Sequence, residues 1–236
     1  MSFCFATFCF GSRYHNQVNR FIADINKSEY KPTLVVITDD PSAIKQRDFV
    51  RTFNVSDFNP DYLNYGKTYY DFDFSVKRFS VRAAHSLGYT KIILVDADMR
   101  VNYGLFNEEN ILKSFDHNSV VGPVTYNFSE QVNTNSELGR RLLEYEKKFN
   151  FNCDKDSLTF MPEDCVQYIS MDDDKLISFL NKWDECIEYK NSHPLRNIPA
   201  GNIDEMCFSA LYNGITVGNN SHKALNIIYP EHDKWY

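Results

Sequence analysis

The stretch Ile92-Ile93-Leu94-Val95-Asp96-Ala97-Asp98 sets four consecutive apolar residues directly before two carboxylates. A short apolar run bounded in this way reads as a central strand buried on both faces. Ahead of it, Phe72, Val76, Phe79, Ala83 and Leu87 recur at helical intervals, and Gly88 supplies the left-handed residue that commonly ends a helix. Helix, glycine and buried strand in succession are one step of an α/β sheet.

Working outward, Phe3 to Phe10 is a continuous apolar run, followed by Gly11-Ser12 and by Val18, Phe21, Ile22 and Ile25 at helical spacing. Leu34-Val35-Val36-Ile37 ends in Thr38-Asp39-Asp40-Pro41, a buried strand entering a turn, and a second strand–helix step is expected from there. A further short strand fits Phe49 to Val55. Residues 57 to 73, with Tyr62, Tyr65, Tyr69 and Tyr70, read as an aromatic loop over the site. The second half offers helices over 136–149 and 173–188, a strand near Cys165 to Met171, and a short helix opened by Gly201-Asn202 and closed by Gly214. Asp172-Asp173-Asp174 precedes a helix and reads as its cap.

In an open α/β sheet, ligands bind beyond the carboxyl ends of the strands, where Asp96 and Asp98 stand. Side chains separated by one intervening residue on an extended segment point to the same side, so the two acids form a hard oxygen site. Such a site suits Mg²⁺ or Mn²⁺, with waters and substrate phosphates filling the other positions. The competing explanation is a polar strand end that merely caps the sheet.

Composition narrows the partners. The chain has 236 residues, 43% hydrophobic and 15% aromatic, enough for a sizeable core in one domain. A net charge of −7, from 25 basic and 32 acidic side chains, gives no general attraction to nucleic-acid backbones. The apolar N-terminal run lacks a basic leader and is too short to span a bilayer, and the six scattered cysteines form no CxxC pair. Reduced thiols, no membrane span and a cytoplasmic location are the expectation.

From Phe74 through Val101 the chain (FSVKRFSVRAAHSLGYTKIILVDADMRV) resembles the nucleotide-diphospho-sugar transferases of the GT-A fold, especially their glycogenin-like and galactosyltransferase-like members. The resemblance implies a mostly parallel central sheet flanked by helices in one glycosyltransferase domain over 1–236, with 1–101 the donor nucleotide-binding half and 102–236 the acceptor-binding half. It implies transfer of a hexose or pentose from a nucleotide-diphosphate donor, a UDP-sugar, to a hydroxyl of a glycan, protein, small molecule or modified DNA base. Asp96 and Asp98 would hold Mn²⁺ or Mg²⁺ with the donor diphosphate. Ala6-Thr7 resembles the segment that meets the nucleobase and ribose. Asp39 or Asp40, and Lys77 or Arg78, resemble base- and phosphate-contacting positions.

Trp183 followed by Asp204-Glu205 is similar to the family's tryptophan-bearing helix and the acidic pair beside the acceptor. A carboxylate there would orient the acceptor hydroxyl or take its proton. Asn202 and Glu205 also fit a capping box. Near the C-terminus, His232 and Lys234-Trp235 resemble the family's third metal ligand and diphosphate lysine, with His222-Lys223 as a rival pair; the family's Gly and Pro in that motif are absent.

Three other functions compete. A haloacid-dehalogenase phosphatase also ends an apolar strand in Asp-x-Asp, but Arg100 stands where that family has Thr or Val. A nucleotidyltransferase of the same fold would carry a Gly-rich phosphate loop, and only Gly11 is present. A non-catalytic protein that binds a nucleotide-sugar or glycan need not keep the paired acids.

Overall fold

The computed structural model describes residues 2–59, 74–102, 104, 106–122, 125–127, 137–152, 160–162, 165–192, 203–219 and 228–230. The apolar run at the N-terminus becomes β1 (Cys4–Cys9), buried along its whole length. Gly11, at φ +74, lets the chain fold back at once into α1 (Gly11–Lys27), whose Val18, Phe21, Ile22 and Ile25 form the buried stripe. β2 (Thr33–Thr38) and β3 (Val50–Asn54) follow, joined by a single 3₁₀ turn at Pro41–Ala43. The helix expected after β2 is therefore not formed. Between Pro41 and Asp48 only Ile44 is buried, so the segment has no apolar stripe with which to dock a helix.

α2 (Lys77–Ser86) is preceded by a 3₁₀ turn at Phe74–Val76 and leads through Gly88, at φ +87, into β4 (Lys91–Val95). Leu87 was expected on the buried stripe; the helix stops one residue before it and the side chain is 42% exposed. β5 (Met99–Val101), α3 (Glu108–Leu112), β6 (Ser119–Gly122), β7 (Thr125–Asn127), α4 (Glu137–Phe149), β8 (Phe160–Pro162), β9 (Val166–Ser170), α5 (Asp173–Ser192), α6 (Ile203–Tyr212), β10 (Thr216–Asn219) and β11 (Ile228–Pro230) complete the order.

Seven strands form one sheet in the order β10-β6-β9-β4-β1-β2-β3. β3, β2, β1 and β4 run parallel, β9 enters antiparallel between β4 and β6, and β10 is parallel to β6. Strand alternation divides the core. Phe3, Phe5, Cys9, Leu34, Val36, Ile93 and Val95 pack toward α1. Cys4, Ala6, Phe8, Val35, Ile37, Ile92 and Leu94 pack toward α2, α5 and α6. Both faces are covered, which explains the unbroken apolar runs of β1, β2 and β4. No helix among the described residues is long and apolar enough to cross a membrane.

Candidate functional site

The sheet reverses direction of growth at β1. From β1 the chain passes through α1 on one face to β2, and from β3 it returns through α2 on the other face to β4, which lies on the opposite side of β1. The chain leaving β1 enters α1, and the chain leaving β4 enters β5, which packs on the same α1; the carboxyl edge where the growth of the sheet reverses is where sheets of this type bind ligands. Asp96 immediately follows β4, and Lys77 opens α2 at the same edge, because a crossover helix runs back antiparallel to its strands.

These two residues meet. Lys77 Nζ lies 2.6 Å from Asp96 Oδ1; the lysine side chain has no solvent exposure, whereas that of Asp96 is 25% exposed. The ammonium also lies 5.9 Å from the centroid of the Phe8 ring on β1. A buried ammonium is tolerated only when paired, so Asp96 is part of what permits Lys77 to be buried there.

Asp96 and Asp98 do not belong to an extended segment. The Met99 amide donates to the Asp96 carbonyl at 3.3 Å, closing a turn that links β4 to β5, and the Asp96 amide donates to the Cys165 carbonyl at 3.0 Å. Two-residue alternation therefore does not carry the pairing of the two carboxylates. Ala97 is buried beneath it and Asp98 is half-buried. Beyond the turn, Arg100 on β5 reaches α1, with Nε 2.5 Å and a terminal nitrogen 2.9 Å from the two oxygens of Asp24.

The neighbouring cation on α2 is engaged elsewhere. Arg78 Nε donates to Asp184 on α5 at 2.6 Å and Nη1 to the Ser75 carbonyl at 2.5 Å, while Arg82 grips the other oxygen of Asp184. Of the two alternatives at this position, Lys77 stands beside Asp96 at the carboxyl edge of β4 and Arg78 ties α2 to α5. Ser80 Oγ donates to the Thr7 carbonyl at 2.9 Å, fixing α2 on β1. Ala6 and Thr7 lie inside the sheet, with exposures of 0% and 1%.

Asp39 accepts from the Gly11 amide at 3.3 and 3.2 Å and from His15 Nε2 at 2.8 Å, so it caps α1. Asp40 caps the following 3₁₀ turn through Ser42, whose hydroxyl and amide hold its carboxyl below the usual carboxylate range. Nearby, burial pushes the Cys9 thiol up to about 12, with a hydrogen bond from Thr38 opposing and the charge of Asp39 reinforcing the rise.

In the second half, Glu205 on α6 is fully buried and accepts from the Tyr145 hydroxyl of α4. Asp204 precedes it in the first turn of α6. Trp183 is fully buried in the layer formed by α2, α5 and α6, its ring centroid 5.4 Å from that of Phe179 and the two planes tilted by 50°. Asp173 opens α5 and accepts from His85 at 2.8 Å. Residues 60–73, Gly201, Asn202, His222, Lys223, His232, Lys234 and Trp235 lie outside the described residues. Among the described residues no group of three His, Cys, Asp or Glu side chains converges as a metal cage.

Tyr145, Asp184, Asp24 and His15 were not singled out by sequence. Each is held by a partner 24 to 106 positions away, and no local spacing marks such pairs. Compared with protein-family models and with curated proteins, the sequence matches none.

Proposed function

We propose that this chain is a metal-dependent glycosyltransferase of the GT-A fold that moves a sugar from a UDP-sugar to an acceptor hydroxyl. The observation that carries the reading is the Lys77–Asp96 pair at the carboxyl edge of β4, beside the point where the sheet reverses its growth. A cation and a carboxylate at such an edge are the two charges that a metal-bound diphosphate needs.

The donor set fits a hard divalent ion: Asp96 and Asp98 offer carboxylate oxygens on one turn, and Mg²⁺ or Mn²⁺ retains positions for water and phosphate oxygens. When bound, the ion would supply charge neutralisation of the leaving diphosphate. Lys77 would meet a phosphate oxygen beside it. The turn holding the acids is fixed by backbone bonds to Cys165 and Met99, so the main chain that carries them is set before any ligand arrives. Asp204 and Glu205 on α6 are the candidates for orienting the acceptor hydroxyl or taking its proton, and the Tyr145 hydroxyl would hold Glu205 in a single rotamer. His232 and Lys234 stay part of the proposal as third metal ligand and diphosphate contact.

The acceptor is a glycan, a protein hydroxyl, a small molecule or a hydroxylated nucleobase; the net charge of −7 weighs against duplex DNA. Free thiols at Cys4, Cys9, Cys165, Cys186 and Cys207 support a reducing, cytoplasmic setting. Calorimetric titration of UDP, GDP and CDP, with and without Mn²⁺, tests the reading on the wild type and on Asp96→Ala/Asp98→Ala. Metal-dependent binding of one diphosphate, lost in the double variant, is expected. Absence of binding under every condition would remove the transferase assignment.

A further inference from the structure

We propose that the open groove at the end of α4 is a binding site for a neutral saccharide, separate from the acidic turn. Leu143, Glu146, Lys147 and Asn150 recur at three- and four-residue intervals along one face of the helix end, and Phe151 and Asn152 complete the lining. The chain folds back there because Asn150 takes φ +49, which lets the Phe151 amide donate to the Glu146 carbonyl at 3.0 Å. The groove holds about 370 Å³, in the lower part of the range of small-molecule sites.

The lining selects the ligand. Phe151 is half-buried, its ring centroid 5.0 Å from that of Tyr212 and 6.0 Å from that of Phe208, so it is a braced wall. With Leu143, 47% exposed, it offers apolar surface to the C–H face of a sugar ring. The exposed amides of Asn150 and Asn152 each donate and accept, Lys147 donates and Glu146 accepts. One carboxylate and one ammonium leave the lining without excess charge, which suits hydroxyls rather than phosphates. Asn150 adds a second hint. Glycine takes a left-handed helix end at least cost; asparagine gives up that ease and sets an amide on the groove.

The groove lies away from Asp96. Phe151 touches Tyr212, the last residue of α6, which leads through Gly214 into the start of β10. β10, β6 and β4 run in the same direction, so this is the amino edge of the sheet, opposite the edge that carries Asp96. The site does not depend on the transferase reading; on that reading it would tether a glycan at a distance from the reacting hydroxyl.

The test is a titration of the full chain, carrying labelled leucine methyl groups, with maltotriose, cellotriose and diacetylchitobiose, the Leu143 signal being assigned by its loss in Leu143→Ile. That signal should shift saturably with at least one saccharide, at a Kd of about 1–10 mM. Asn152→Ala and Asn150→Gly should each raise the Kd about five-fold, while the melting temperature of Asn150→Gly holds or rises. Asp96→Ala/Asp98→Ala should bind the saccharide like wild type, so loss of UDP binding and loss of this site are separate results. The proposal is overturned by no saturable shift with any of the three, by an unchanged Kd in both asparagine variants, or by a response to free leucine and to no saccharide.

Discussion

Arg100 and Asp24 join the strand after the acidic turn to the last turn of α1 through two hydrogen bonds, at 2.5 and 2.9 Å. The Asp24 side chain is 3% exposed and that of Arg100 27%. Asp24→Asn keeps the shape but removes the charge that balances a partly buried guanidinium. We expect a loss of about 2 kcal/mol, below the 3–5 kcal/mol typical of a wholly buried pair because Arg100 retains some water. Urea unfolding should show a lower midpoint with an unchanged slope. Asp24→Leu/Arg100→Leu should recover part of the loss, and a double variant as unstable as the sum of the singles would argue against direct coupling.

Asp39 was read from sequence as a base-contacting candidate, with a turn residue as the alternative; its bonds to Gly11 and His15 make it the cap of α1. Asp39→Ala should cost about 1 kcal/mol of stability, the usual value of an N-cap. If capping is its whole role, calorimetry should give the same UDP affinity for the variant as for wild type once both are folded.

Arg78 and Lys77 are adjacent, yet they should answer to different assays. Arg78→Met breaks the bracket around Asp184, whose side chain is 30% exposed, and should lower stability by roughly 1–2 kcal/mol. Its diphosphate affinity should stay within about two-fold of wild type. A large affinity loss in Arg78→Met would mean that the guanidinium leaves Asp184 for the ligand.

Alkali should weaken the fold through buried thiols. Burial raises Cys9 from 9.0 to about 12 and pushes Cys4 up as well. The unfolded chain therefore loses these protons near pH 9 while the folded chain keeps them. Below pH 9 both states hold the proton and the contribution is fully present. As pH climbs from 9 toward 12 the unfolded state is favoured, by up to about 1.4 kcal/mol per pH unit for each thiol. Urea midpoints between pH 8 and 10.5 should fall more steeply for wild type than for Cys9→Ala.

Much of this was legible in the chain. β2 and β4 are built on runs of Val, Ile and Leu and β1 on Phe, Cys and Ala, and strands buried on both faces leave that mark. Gly88 announced the end of α2 because a left-handed position there admits few other residues. Two features escaped. The turn at Asp96 is made by backbone bonds to Met99 and Cys165, and Cys165 lies 69 positions onward, beyond the reach of any local pattern. The ties of Arg78 to Asp184 and Arg100 to Asp24 span 106 and 76 positions, so sequence could name the charges but not their partners. That is why Lys77 and Arg78 were indistinguishable until α5 was in place.

The antiparallel strand β9 has a consequence for dividing the gene. A cut near residue 102, between the presumed donor and acceptor halves, would strip β9 from β4 along five paired residues, Lys91 to Val95 opposite Ser170 to Val166. What remained would be a bare, mostly apolar strand edge carrying the acidic turn at its tip, a template for aggregation rather than an autonomous fragment. Chimeras of this chain are better made by exchanging segments that leave the sheet than by swapping halves at its centre.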